Sequence, residues 1–175
     1  MDHHRTTFLF TAVFFLVTLG RSSATTTQER INRVCRETSD FYTCSSIFRQ
    51  HLYSSYADMK LLTQIALSET LIESTNTLRY VQTAQDEEKD QNRKNLYEVC
   101  KEGYNALIGE FGSATLDLAK QDYFQLRNDI QNSERFVRDC NNVIGSDIQI
   151  YRRSKRNGLL VRMAIVSSGF IESDD

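Results

Sequence analysis

From Gln28 onward the apolar residues recur three and four apart, the period of a helix with one buried face, and polar breaks divide the pattern into six pieces. Ile31, Val34 and Cys35 mark the first short piece. Glu37-Thr38-Ser39-Asp40 interrupts it, with Asp40 placed to cap a second piece in which Cys44, Ile47 and Phe48 repeat the spacing. Isolated helices under about 12–15 residues are marginal in water, so these two need support. A Cys35–Cys44 bridge would fasten them as a hairpin. Tyr53-Ser54-Ser55-Tyr56 then connects to a long helix over about Ala57 to Ala84. Its two stripes, Leu61, Ile65, Ile72 and Leu67, Leu71, Leu78, Val81, form a wide apolar arc that implies neighbours on more than one side.

The charge run from Asp86 to Lys94 reads as a solvated turn. A second long helix follows from Asn95 to Phe111, with Leu96, Cys100, Leu107 and Phe111 on one seam and Tyr104 beside it. Gly112 closes it, and Ser113 suits the cap of a third helix. There Leu116, Ala119, Tyr123, Leu126, Ile130, Ser133, Val137 and Cys140 alternate steps of three and four, which keeps one face toward a partner helix. Residues 141–146 form a turn, and the last helix carries Leu159, Met163, Val166 and Phe170 behind a basic cluster, Arg152-Arg153-Ser154-Lys155-Arg156. Long amphipathic helices joined by short loops predict an all-α fold: an up-and-down antiparallel four-helix bundle over 57–175, preceded by a short disulfide-closed helical hairpin over 25–56. In that geometry the start of the second long helix lies beside the end of the third, with which a Cys100–Cys140 bridge is compatible.

Composition supports helices, since the 175 residues include no proline and only seven glycines. It also adds a leader. His3, His4 and Arg5 precede an apolar run from Phe8 to Leu19, and Ser22-Ser23-Ala24 offers a cleavage site, so 1–24 reads as a signal peptide of a secreted protein. Removing it takes away Asp2, Arg5 and Arg21 and moves the formal charge from −2 to −3. So balanced a chain points to no nucleic-acid partner, and no segment calls for a membrane. All four cysteines, Cys35, Cys44, Cys100 and Cys140, fall in the mature part. In an oxidising compartment they read as two disulfides, for which three pairings exist and among which spacing alone does not choose. The chain-entropy relation gives roughly 3 kcal/mol for the short loop and about 4 kcal/mol for the long one.

Catalytic chemistry is sparse. His51 is the only mature histidine, and no Cys-x-x-Cys, His-Glu-x-x-His, Gly-x-Ser-x-Gly or glycine-rich phosphate loop occurs. The carboxylates lie on the polar sides of the helices, where solvation explains them. The chain therefore reads as a binding protein, not an enzyme, with no cofactor and no metal.

The cysteine frame carries more. Cys35-Arg36-Glu37-Thr38 leads to Cys44 after eight intervening residues, and Cys100-Lys101-Glu102-Gly103-Tyr104 leads to Cys140 after thirty-nine, with Lys120-Gln121-Asp122-Tyr123 between them. This frame resembles the plant invertase and pectin methylesterase inhibitor family across the whole mature chain. The resemblance implies the hairpin-plus-bundle fold, the pairings Cys35–Cys44 and Cys100–Cys140, and one-to-one, non-covalent binding to a wall enzyme. It implies a chain that is monomeric when free and resides in the cell wall or apoplast, or in the vacuole if invertase is the target. It further implies partner contacts on the two central helices, at Glu102, Asp122 and Tyr123, with the neighbouring Phe124 supplying apolar area. Two departures stand out. Ala106 and Gly109 occupy positions that are acidic in pectin methylesterase inhibitors, with Glu110 next to the second. Tyr123-Phe124-Gln125 stands where invertase inhibitors carry Pro-Lys-Phe.

Pectin methylesterase is therefore the first target and acid invertase the second. Two non-inhibitory alternatives are a secreted helical-bundle signal and a carrier of an apolar ligand, the latter motivated by the broad arc on the first long helix.

Overall fold

The computed structural model describes residues 25–144 and 147–173; the leader read at 1–24 lies outside them, as do Gly145 and Ser146 of the last turn. In chain order the elements are α1 (Thr27–Cys35), α2 (Phe41–Gln50), α3 (Met59–Glu87), α4 (Gln91–Lys120), α5 (Tyr123–Ile130), α6 (Glu134–Ile144), α7 (Ile148–Gly169) and a 3₁₀ turn (Ile171–Ser173). No strand occurs among the described residues.

Side-chain caps decide where most of these helices start. Thr26 and Glu29 form a capping box on α1. Asp40, Asp58, Asp90, Asp122 and Asp147 cap α2, α3, α4, α5 and α7, each carboxylate accepting from a backbone N–H of the first turn. The charge run around Asp90 is consequently shorter as a loop than the sequence implies. The loop spans 88–90, where Glu88 accepts from the backbone N–H of Lys89 at 2.8 Å and of Asp90 at 3.0 Å, and from Arg93 Nε at 2.7 Å.

Two boundaries differ from the sequence reading. α4 does not stop at Gly112 but runs on to Lys120. Its buried apolar positions are Tyr97, Cys100, Tyr104, Leu107, Phe111, Ala114 and Leu118, an unbroken alternation of three and four, with the buried Asp117 beside the last. Burying Ala114 and Leu118 offsets the helical glycine, which costs about 1 kcal/mol relative to alanine. Leu116 and Ala119, read as the first rungs of the next helix, are instead on the exposed side of α4. The expected third helix is in turn two helices, α5 and α6, separated by residues 131–133. Its seam survives the break, because Leu126, Ile130, Ser133, Val137 and Cys140 are all buried. Smaller differences follow the same logic: Tyr97, not Leu96, faces inward, Ile72 is 55 % exposed, and α6 extends to Ile144 into the expected turn.

α3 packs against α4 and α7, and α6 closes the square by packing against α4 and α7, so that α4 and α7 lie across a diagonal. α5 lies over one end between α4 and α7, and the α1–α2 hairpin caps the end formed by the start of α3 and the close of α7. Disulfides join Cys35 to Cys44 and Cys100 to Cys140, with Cα–Cα distances of 5.6 and 4.5 Å. These are the pairs that the family resemblance implied. The second requires α4 and α6 to approach closely, and Gly103 lets them. A Cβ there would sit 3.2 Å from the carbonyl oxygen of Phe136.

Not all of the interior is apolar. Ser74 Oγ donates to Asn157 Oδ1 at 2.8 Å, while Asn157 Nδ2 donates to Thr77 Oγ1 at 2.9 Å and to the Arg153 carbonyl at 3.0 Å. The Tyr104 and Ser154 hydroxyls share a hydrogen bond of 2.8 Å. The side chains of Ser74, Thr77, Tyr104, Ser154 and Asn157 are all buried and each finds a partner, as burial in a low-dielectric interior demands; Arg153 contributes only its carbonyl.

Candidate functional site: the outer face of α4 and the α4–α5 corner

α4 presents to solvent the side opposite its buried seam. Glu102, Ala106, Gly109, Ser113, Leu116 and Lys120 recur there at steps of three and four, and all are exposed except the half-buried Ala106. Gly109 and Gly112 have nothing within 4 Å of where a Cβ would stand, so the fold does not need glycine at either position. The face is smooth, and the backbone is open to close approach. Glu102 stands near one end of it, exposed, with no hydrogen-bond or ion-pair partner among the described residues.

At the other end α4 stops at Gln121, whose backbone adopts the left-handed conformation (φ 63°) that terminates a helix. Asp122 N–H then donates to the Asp117 carbonyl at 2.9 Å, and Asp122 Oδ1 accepts from Gln125 N at 3.0 Å. Asp122 is thus first of all a helix cap. Tyr123 is half-buried and packs against the core. Phe124 projects outward from the first turn of α5, 70 % exposed, and Leu116, in the last turns of α4, is 61 % exposed. Other large apolar side chains are exposed elsewhere, Tyr42, Tyr53 and Ile148 among them, but these two lie at the end of the glycine-bearing outer face of α4.

The four sequence-derived contact residues therefore do not form one cluster. Asp122, Tyr123 and Phe124 share the corner. Glu102 lies some eighteen residues up α4 from its end, or about 27 Å at the helical rise, so the four define the two ends of a long surface. Glu110, the acid beside Gly109, is turned inward: its carboxylate accepts from Ser133 Oγ at 2.5 Å across the α5–α6 break. Leu116 is the surface residue that the sequence reading assigned to the core. The signal that identifies it is the α4 alternation continued past Gly112, which reaches Ala114 and Leu118 and leaves Leu116 outside.

Nothing at this surface resembles a catalytic arrangement. His51 lies away from it, at the end of α2, with Nε2 3.1 Å from Glu69 of α3. Among the described residues no group of three or more histidine, cysteine or acidic side chains could hold a metal ion, and no helix is long and apolar enough to cross a membrane.

Comparison with known proteins assigns the fold. A crystal structure of a pectin methylesterase inhibitor from Arabidopsis thaliana superposes with a TM-score of 0.63 at 21 % identity, over 83 % of this chain and 97 % of that one. A mutant form of a pectin methylesterase inhibitor from Arabidopsis gives 0.73, also at 21 % identity, over 81 % and 97 %. No curated protein sequence matches the chain. Residues 29–167 match the family described as plant invertase/pectin methylesterase inhibitor, which takes in both disulfides, α4 and the α4–α5 corner; the chain is a member of that family.

Proposed function

We propose that this protein inhibits a pectin methylesterase by one-to-one, non-covalent binding, laying the outer face of α4 and the α4–α5 corner over the active-site cleft. One observation carries the reading: Phe124 and Leu116 stand exposed at the end of a glycine-smooth helical face that the fold leaves free. Exposed aromatic and aliphatic anchors supply most of the affinity of such interfaces. Charges at the margin, Glu102 at one end and Lys120 at the other, act on orientation and association rate. Both structural relatives are named as pectin methylesterase inhibitors, which favours that target over acid invertase. The signal peptide over 1–24 and the two disulfides fit a secreted, apoplastic inhibitor, organised as a hairpin over 25–56 and a bundle over 57–175 and monomeric when free.

The test mixes the purified mature protein with a pectin methylesterase and, separately, with an acid invertase at mildly acidic pH, following ester and sucrose hydrolysis. The esterase is expected to lose activity. Phe124→Ala should weaken inhibition by about 30-fold, the equivalent of about 2 kcal/mol at a hot spot. Full activity of both enzymes at micromolar inhibitor would refute the proposal, and loss of invertase activity alone would reassign the target.

A further inference from the structure

The basic cluster Arg152-Arg153-Ser154-Lys155-Arg156 plays no part in the surface described above. Ser154 faces the core, and the helical period carries the four cations around the outer side of α7, diagonally across the bundle from α4. The fold uses only some of them. Arg153 lies 4.9 Å over the Tyr80 ring and 3.9 Å from Glu73, and Arg156 Nε is 3.5 Å from the same carboxylate. Arg152 and Lys155 have no ion-pair partner among the described residues, although both are exposed. One carboxylate, Glu73, therefore pairs with two of the four cations and leaves the other two without one.

A second element meets this strip. The start of α2 stands over α7, and the step between them is a groove of about 670 Å³ lined by Ser39, Asp40, Phe41, Tyr42, Thr43, Lys155, Arg156 and Leu159. Tyr42 is 84 % exposed on its rim, and Lys155 Nζ lies 5.2 Å from the ring of Tyr151 further along α7. The one acid in the groove, Asp40, is engaged with α2 itself, accepting from Thr43 N at 3.0 Å and Thr43 Oγ1 at 2.6 Å. Those bonds hold its carboxyl below the usual range, so it remains an anion; the cations still outnumber it.

We propose that this groove, together with Arg152 on the α7 strip that adjoins it, binds an acidic polysaccharide, a chain of sugar rings bearing free carboxylates. Arg152, Lys155 and Arg156 would pair with successive carboxylates while the exposed Tyr42 ring packs against the apolar face of a sugar. The chemistry favours such a ligand over an acidic peptide. Arg152 and Arg156 are one turn apart on a rigid helix, about 6 Å, with Lys155 between them, and an aromatic platform lies alongside. Guanidinium groups recognise carboxylates through paired hydrogen bonds, and Lys contributes as a point charge. This inference does not depend on inhibition, since it concerns the opposite side of the bundle.

Titration calorimetry of the full mature chain with polygalacturonate oligomers at low salt tests it, with fully methyl-esterified oligomers and heparin as comparisons. Binding to the acidic oligomer is expected to weaken steeply with salt and to vanish on esterification. Arg152→Gln with Lys155→Gln should lower affinity at least tenfold; neither residue makes an ion pair in the fold, so the variant keeps its structure. Tyr42→Ala should lower affinity several-fold without changing the salt dependence. Absent binding, equal binding to the double variant, or equal binding to the esterified chain would each overturn the proposal. Heparin bound as tightly, with Tyr42→Ala silent, would reduce the groove to a patch of charge and overturn its assignment to a sugar acid.

Discussion

At the end of the bundle beneath the hairpin, the buried faces carry Met59, Leu62, Ala66 and Leu67 of α3, Leu107 and Phe111 of α4, and Leu160, Met163 and Ala164 of α7. Further along α3 the same face turns to Thr70, Ser74 and Thr77, opposite Ser154 and Asn157 of α7 and Tyr104 of α4. The first region is held by burial, which is large and indifferent to direction. The second is held by hydrogen bonds whose net worth is about 1 kcal/mol each, but which are satisfied in only one alignment of the three helices. The disulfides follow the same division: Cys35–Cys44 braces the hairpin over the apolar end, while Cys100–Cys140 ties α4 to α6 beside the polar seam. Apolar contact supplies most of the stability, and the polar seam sets how the helices are aligned along one another.

The strongest way to break the apolar half is Phe111→Ala. The side chain is fully buried, so the truncation should cost about 3–5 kcal/mol, read as a lower denaturant midpoint at unchanged slope. A loss under about 1 kcal/mol would show that this end repacks freely and would remove the contrast.

In the polar half Asn157→Ala should cost about 1–3 kcal/mol, because it strands the Ser74 hydroxyl away from water and removes one of the two bonds of the Thr77 hydroxyl, which keeps its bond to the Glu73 carbonyl. Adding Ser74→Ala and Thr77→Val to Asn157→Leu should recover much of that loss, since no polar group is then left unpaired. The same unfolding measurement separates the two outcomes. A multiple variant less stable than Asn157→Ala would mean the seam contributes stability beyond alignment.

The smallest effect sharpens the comparison through pH. Burial pushes the Tyr104 phenol up to about 12, above its ordinary value of about 10. The folded chain therefore keeps a proton that the unfolded chain releases. Its contribution is intact below about pH 10 and is lost as pH rises toward about 12. Tyr104→Phe should flatten the alkaline decline in stability over that window while changing little at neutral pH beyond one lost hydrogen bond to Ser154. Identical slopes for the two proteins would show that the phenol is not held in its buried site.

Much of this fold could be read from the chain. The seam Leu126, Ile130, Ser133, Val137, Cys140 was legible because period and burial agree along α5 and α6. The boundary at Gly112 misled, because glycine is a weak breaker: about 1 kcal/mol yields to two buried rungs beyond it. The Asp122 cap was present in the sequence but competed with Ser113, and only packing selects between two adequate caps. Of the proposed contact surface, Glu102, Asp122, Tyr123 and Phe124 came from family likeness; that Leu116 is exposed on α4 required knowing where α4 ends.

Sequence alone determined the helical class, the helix count to within one break, the cysteine frame and the absence of familiar catalytic motifs, since these follow from local periodicity and residue chemistry. Only tertiary structure decided which side of each helix faces water, that Glu110 turns inward to Ser133, and that Tyr42 lines one groove with Lys155 and Arg156. Those outcomes depend on pairs of residues far apart in the chain. Whether their side chains meet is set by how whole helices pack, which no local pattern encodes.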